Sequence, residues 1–211
     1  VPRYEADDVI GTIAKQAEQE GFEVYMMTPD KDYGQLVSEH ILMYRPKFGG
    51  GYETMGIPEV LAKYDLTSTE QVIDLLGLMG DSSDNIPGCP GVGEKTAQKL
   101  LAEFGSIDNL LVNTDQLKGA IKKKIEENKE QIKFSRFLAT IKIDVPIQFD
   151  AKGCIRENPD TEKLREIYTN LELRGFLTKL EGEAPKPVNK APIQGDLFAI
   201  FTDEVQKKKN I

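Results

Sequence analysis

The sequence predicts an α/β layer followed by a helical region, and three observations carry that prediction. Over residues 1–87 helical stripes alternate with short β-rich runs, the pattern of an α/β layer. From residue 91 onward the apolar positions keep helical spacing. The charge divides in a similar way. Six basic against sixteen acidic residues give −10 over 1–87, nine against seven give +2 over 88–136, and twelve against twelve give 0 over 137–211. The total of −8 speaks at first against nucleic acid, whose phosphates favour a basic surface. An acidic part ahead of a mildly basic one nevertheless suits a chain that holds cations in the first and phosphates in the second.

The elements follow in order. Residues 5–20 read as an amphipathic helix with Ala6, Val9, Ile10, Ile13, Ala14 and Ala17 on one stripe and Gly21 as its terminator. "FEVYMMT" (22–28) is a short buried-type strand, "PDKDYGQLVS" a loop entering a short helix, and "HILMYRP" (40–46) a second strand. "KFGGGYET" reads as a glycine turn. Pro58 fits the first turn of a helix through Val60, Leu61 and Tyr64, and Thr67–Glu70 and Ser68–Gln71 have capping-box spacing ahead of the next helix. "GEKTAQKLLAEFG" (93–105) buries Ala97, Leu100, Leu101 and Phe104, and Ser106 caps "IDNLLVN". A long helix or helix pair follows with Ile121, Ile125, Ile132 and Leu138 on its apolar side, then a last helix over 160–173. Residues 181–211 are rich in Pro, Lys and Glu, as in a linker, with one apolar patch, "GDLFAIF".

Several function classes are excluded by composition. No run of eighteen apolar residues exists to span a membrane, and "VPRYEADD" lacks the order of a secretory signal, so a cytoplasmic protein is expected. Two cysteines, Cys89 and Cys154, and the single His40 make neither a structural zinc site nor a disulfide framework.

Three acidic clusters stand out: Glu5, Asp7 and Asp8 in "EADD", Asp30 and Asp32 in "PDKD", and Asp81 and Asp84 in "DSSD". Glu5 and Asp8 share one side of the first helix, and Asp7 lies at the edge of its apolar stripe. Asp30 and Asp32 come directly after a strand, where ligands of open α/β sheets bind. Each cluster is also readable as ordinary capping or turn chemistry. Together, seven carboxylates with almost no histidine suit hard cations such as Mg2+ or Mn2+. A pair of such ions about 3.5–4 Å apart activates water and stabilises the leaving oxygen of a phosphodiester. "PGVGEKTA" then places Gly91 and Gly93 around Val92 directly before a helix, with Lys95 and Lys99 one turn apart. Free amides at that helix start would grip a phosphate backbone without reading bases. The spacing matches neither a P-loop nor the dinucleotide fingerprint, and an ordinary turn between packed helices is the alternative.

The string "YEADDVIG…TPDKDYGQLVS…GDSSDNIPGCPGVGEKTAQKLL" resembles the 5′-nuclease (5′→3′ exonuclease) domains of bacterial DNA polymerases I, within the flap endonuclease family, over most of residues 3–180. The resemblance implies a PIN-like or resolvase-like α/β nuclease core over 1–87 and a DNA-binding helix-hairpin-helix (helix–three-turn–helix) region over 88–180, with a linker over 181–211. It implies Glu5, Asp7, Asp8, Asp30, Asp32, Asp81 and Asp84 as ligands of a two-metal site filled by Mg2+ or Mn2+, with Asp7, Asp8, Asp30 and Asp32 as the catalytic carboxylates. Gly91, Val92, Gly93, Lys95, Thr96 and Lys99 would bind duplex DNA, with K+ as a second cofactor at the turn. The implied activity is metal-dependent hydrolysis at 5′ ends, flaps and nicks in replication and repair, beside polymerase domains, in a bacterial cytoplasm near the nucleoid. Family members carry a further stretch ahead of "YEADD" with more metal-binding aspartates and basic residues, so this chain alone is expected to bind DNA weakly and cut it poorly. Cys89 stands at a position usually held by a small aliphatic residue, a packing variation. The competing readings are a non-catalytic module that holds duplex DNA by its helical half, and an acidic Ca2+-type protein.

Overall fold

In the computed structural model, residues 1–47 and 49–182 are described, so the expectation of a linker and apolar patch beyond them lies outside the described residues. Helix α1 (Ala6–Gln19) opens where Asp8 reaches back to accept from the Glu5 amide at 3.2 Å, half of a capping box. It stops at Gly21, whose φ of +87° ends it as expected. Its buried face differs from the one its periodicity suggests: Gly11, Thr12, Ala14 and Ala17 are buried, whereas Ala6 and Ile10 are exposed. Small residues let the helix lie close against its neighbours, and that close approach outweighs the larger apolar side chain at position 10.

Strand β1 (Val24–Met26) runs parallel to β2 (Ile41–Pro46), with Val24 beside Ile41 and Met26 beside Met43. Between them the expected helix is a 3-10 helix over Lys31–Leu36, capped by Asp30, whose side chain accepts from the Asp32 amide at 3.0 Å. The segment read as one glycine turn is shorter in the structure. Tyr52–Met55 forms a third strand, β3, antiparallel to β2 with Met43 opposite Met55 and Pro46 opposite Tyr52. Three residues of glycine at positive φ turn the chain, and the four after them are short enough to hide from a periodicity test.

Helix α2 (Ile57–Tyr64) carries Pro58 in its first turn. Helix α3 (Gln71–Met79) is the centre of the fold: Val72, Leu75, Leu76 and Leu78 are all buried, and it touches the 3-10 helix and the helices that follow. Its two buried polar side chains tie down the next helical turn. Gln71 donates to the Gly105 carbonyl at 2.8 Å, and Asp74 accepts from the Ile107 amide at 3.1 Å while pairing with Arg136 at 2.9 Å. Helix α4 (Glu94–Phe104) buries the four residues its spacing predicts, and Ser106 caps α5 (Ile107–Val112) through the Asn109 amide. The long stretch is a pair, α6 (Gly119–Glu127) and α7 (Lys129–Ala139), broken at Asn128. Ile125 and Ile132 are fully buried, but Leu138, expected on the same side, is 44 % exposed because α7 turns its Ser135 and Ala139 inward instead. Residues 140–149 then strap across α1, with Gln16 bonded to the Ile147 carbonyl and the Phe149 amide.

Residues 150 onward are a second unit. Asp160 caps α8 (Thr161–Asn170), and an additional helix, α9 (Arg174–Gly182), packs on it with the Tyr168 and Phe176 rings 5.3 Å apart. The single helix expected over 160–173 therefore ends earlier, at a turn where Glu172 has φ +54°. No helix among the described residues is long and apolar enough to cross a membrane.

Candidate metal centre and glycine turn

Three of the seven carboxylates converge. Each of Asp32, Asp81 and Asp84 offers an oxygen within 4.8 Å of the others, with Asp32 and Asp81 buried and Asp84 exposed. The fold brings them together from two places. Asp32 sits in the first turn of the 3-10 helix just past β1, where the chain leaves the sheet. Asp81 and Asp84 lie on a loop closed by paired backbone bonds between Asp81 and Ile86, 2.9 Å and 2.7 Å long. Within that loop the Ser83 amide donates to Asp81 Oδ1 at 2.9 Å and orients it.

The other four, Glu5, Asp7, Asp8 and Asp30, are not part of this group and have partners of their own. Asp7 Oδ1 accepts the Tyr33 hydroxyl proton at 2.8 Å. Asp8 Oδ1 accepts from the Lys142 amide at 2.8 Å, and its Oδ2 from the Glu5 amide. Asp30 is engaged in capping, and Glu5 is exposed at the start of α1. Asp7 and Asp30 are still close enough to act electrostatically on Asp84.

The electrostatics are those of a crowded anionic site. Burial pushes the Asp32 carboxyl up to about 6, Asp30, Asp81 and Asp84 add to the rise, and Lys31 opposes it. Burial and then the charges of Asp81 and Asp30 also raise Asp84. Asp81 moves down, because hydrogen bonds from Lys31 and Ser83 outweigh its burial. Asp32 is 7 % exposed and its Oδ1 has no hydrogen-bond donor, an arrangement that a bound cation would satisfy. All the donors are oxygens, so the set fits a hard divalent ion. Asp32, Asp81 and Asp84 would be its first ligands.

The residues that sequence reasoning passed over are the ones that organise these carboxylates: Lys31, Tyr33, Ser83 and the backbone of Lys142. Lys31 carried a signal, since it stands between two aspartates; Tyr33 and Lys142 did not, being 26 and 134 residues from the carboxylates they bind.

The glycine turn is packed directly behind. Gly80 and Gly88 bring their backbones into contact, so closely that a Cβ on Gly88 would lie 2.3 Å from the Gly80 nitrogen. Ser135 accepts from the Gly88 amide at 3.0 Å and Gln131 donates to the Gly88 carbonyl at 2.7 Å, both from α7. The Cys89 amide bonds the Leu78 carbonyl at 2.8 Å, and Lys124 donates to the Gly91 carbonyl at 3.0 Å. Of the predicted DNA contacts, Gly91, Gly93, Lys95 and Lys99 are exposed, Thr96 is half-buried, and the Val92 side chain is buried, which leaves only its backbone for a ligand. Gly93 caps α4, its carbonyl accepting from the Thr96 and Ala97 amides at 3.0 Å each, which leaves the amides of Glu94 and Lys95 pointing out of the helix start.

Comparison with known proteins agrees with this geometry. Residues 1–65 match the family model described as the 5′-3′ exonuclease N-terminal resolvase-like domain, and residues 67–162 match the 5′-3′ exonuclease C-terminal SAM fold. DNA polymerase I of Bacillus caldotenax is 44% identical over 192 residues, covering 89% of this chain and 22% of the relative. DNA polymerase I of Bacillus subtilis is 47% identical over 181 residues, covering 85% and 20%. The chain thus spans about a fifth of the length of these relatives. Among solved structures, T5 5′-exonuclease with bound zinc ions superposes with a TM-score of 0.60 at 22% identity, over 66% of this chain and 51% of that one. The catalytic core of Rad2 in complex with DNA substrate gives 0.53 at 16%, over 81% and 60%. At these identities the two structures speak for the fold.

Proposed function

This chain belongs to the 5′-3′ exonuclease family, and from that membership we propose that it hydrolyses phosphodiester bonds of duplex DNA at 5′ ends, flaps and nicks, as the nuclease portion of a DNA polymerase I in replication and repair. The observation that carries the reading is the convergence of Asp32, Asp81 and Asp84, with a buried Asp32 oxygen that no hydrogen bond satisfies. Mg2+ or Mn2+ in a two-ion site, when bound, supplies an activated water and neutralises charge on the leaving oxygen.

The chain's own residues have separable tasks in this reading. Asp32, Asp81 and Asp84 hold the first ion, and Asp7, Asp8, Asp30 and Glu5 complete the site. Tyr33 fixes the direction in which Asp7 presents its other oxygen, and the Lys142 and Glu5 amides hold the Asp8 carboxylate in place. Gly91, Gly93, the half-buried Thr96 and the exposed Lys95 and Lys99 receive the phosphate backbone of the duplex, with the Val92 main chain between them; a K+ ion would be held at this turn and would add positive charge toward the phosphates. The loop closed by Asp81 and Ile86 joins the two parts, so residues 1–87 position the chemistry and those from 88 on position the duplex.

A denaturing-gel assay on a 5′-labelled flap duplex with Mg2+ or Mn2+ tests the proposal. Product from the parent chain, even at a low rate, that vanishes with EDTA and with Asp84→Asn is the expected result. Product that survives EDTA, or equal product from Asp84→Asn, overturns the metal-dependent reading. Duplex binding without any product overturns hydrolysis and leaves the non-catalytic DNA-holding module.

A further inference from the structure

Within the carboxylate group lies one cation that belongs to the protein itself. Lys31, the first residue of the 3-10 helix, lies between Asp30 and Asp32 in sequence, and its side chain turns toward Asp32 and Asp81. Its ammonium donates to Asp81 Oδ2 and lies 3.6 Å from Asp32 Oδ1. These are two of the three residues that converge, and both are buried. The Lys31 side chain is itself 32% exposed, which leaves it a route outward into solvent.

Three carboxylates at this separation repel one another, and repulsion between buried charges is screened poorly. An ammonium among them offsets part of that repulsion. It brings a single charge and hydrogen-bond donors, however, whereas oxygen donors at this spacing are suited to a divalent ion that takes several of them at once. Asp32 Oδ1 shows the mismatch: it has the lysine nearby as a charge but receives no hydrogen bond. An ion bound by Asp81 Oδ2 and Asp32 Oδ1 would compete with the ammonium for the same oxygens, and the two positive charges would repel at close range.

We propose that Lys31 is a built-in counter-ion of the carboxylate group, holding Asp32 and Asp81 together in the metal-free protein and leaving them when a divalent cation binds. The inference rests on the metal-site reading above and extends it, because it makes metal binding an exchange reaction. The apparent affinity is then set by how firmly the lysine holds its place. If the lysine-paired state accounts for roughly nine molecules in ten, deleting the charge tightens metal binding by about tenfold. The same deletion removes the only counter-charge the metal-free group has from its own helix, so the metal-free protein is less stable. Opposite signs on the two measurements distinguish an exchanged counter-ion from a lysine that only supports the fold.

The test is a calorimetric Mn2+ titration, paired with thermal unfolding in EDTA, on the parent chain, Lys31→Met, Lys31→Arg and Asp84→Asn. Lys31→Met keeps most of the aliphatic length without the charge. Expected are tighter Mn2+ binding by Lys31→Met, about tenfold, a lower melting temperature in EDTA, and a gap that closes at saturating Mn2+. Lys31→Arg keeps the charge and is expected to bind Mn2+ no more tightly than the parent; it also serves if Lys31→Met does not fold. Unchanged or weaker binding by Lys31→Met, in a parent that binds Mn2+ through Asp84, overturns the counter-ion. Equally tight binding by Lys31→Arg and Lys31→Met overturns it too, since charge would then be irrelevant. Failure of the underlying metal reading shows without any Lys31 variant, as Mn2+ binding that Asp84→Asn leaves intact.

Discussion

The carboxylate loop and the glycine turn are neighbours in sequence and opposites in construction. Around Gly88–Gly91 every polar contact of the turn's backbone described above is met by protein: Ser135 and Gln131 on Gly88, the Leu78 carbonyl on Cys89, Lys124 on Gly91. Around Asp32, Asp81 and Asp84 the reverse holds. Like charges converge, one buried oxygen has no donor, and two of the three carboxyls are held above their ordinary range. In the proposed function, the part that would keep its shape against a long polyanion is finished by the protein. The part that would bind a cation is left short of positive charge, and its stability would depend on what fills it.

The largest expected effect sharpens this contrast at the point where the two parts touch. In Gly88→Ala the new Cβ would lie 2.3 Å from the Gly80 nitrogen and 2.6 Å from the Met79 carbonyl carbon, at a φ of +60°. Neither neighbour is a flexible side chain, so backbone must move, and the cost is expected to be about 3 kcal/mol or more. Urea unfolding of the variant should show that loss whether EDTA or Mg2+ is present. A loss that Mg2+ restores would mean the turn depends on the metal site, and the contrast would fail.

Much of this was legible from the residue pattern, and the parts that were not share a physical cause. Asp30 and Asp32 could be singled out because they follow a strand, and the turn because two glycines precede a helix with basic residues. Periodicity also found α4 with the residues it buries. It misjudged α1, because period-counting weights Ile10 above Gly11 and Thr12, while packing favours small residues wherever two backbones approach closely. It missed β3, whose four residues are too few to show alternation after the glycines. The supports of the site were out of reach for another reason. Tyr33 on Asp7, the Lys142 amide on Asp8, and Ser135 on Gly88 join residues 26, 134 and 47 positions apart, and no local pattern encodes such pairs.

A smaller effect is expected from Ser135→Ala, which tests whether the turn is finished by the protein. The hydroxyl accepts from the Gly88 amide at a position with no exposed surface, and alanine leaves that donor buried without an acceptor. The expected destabilisation is about 1–2 kcal/mol, read from the urea midpoint. Duplex binding at low salt should weaken, whereas the Mn2+ affinity of the carboxylates should not change, because Ser135 contacts none of them. A variant with parental stability would show that solvent completes the turn, and the contrast with the carboxylates would narrow.

The smallest effect is a pH dependence that belongs to the carboxylate side alone. In the metal-free protein Asp32 titrates at about 6, raised first by burial and then by Asp30, Asp81 and Asp84 against the pull of Lys31. In the unfolded chain its value returns to the ordinary 3.8. Between these two values the folded protein binds a proton that the unfolded chain does not, so this group adds stability as pH falls through about 6, and the gain is complete below 3.8. Above 6 both states are ionised and the folded one bears the repulsion. Asp32→Asn has no such window. Its advantage over the parent in EDTA should therefore be larger at about pH 8 than at about pH 5, a comparison in which titrating groups remote from Asp32 cancel. A divalent ion inverts the dependence, because it competes with the proton for the same oxygen: Mn2+ affinity of the parent should weaken as pH falls through the same window. An advantage for Asp32→Asn that is equal at both pH values would mean that Asp32 is not held in a repulsive field, and that the two halves of this site are built alike.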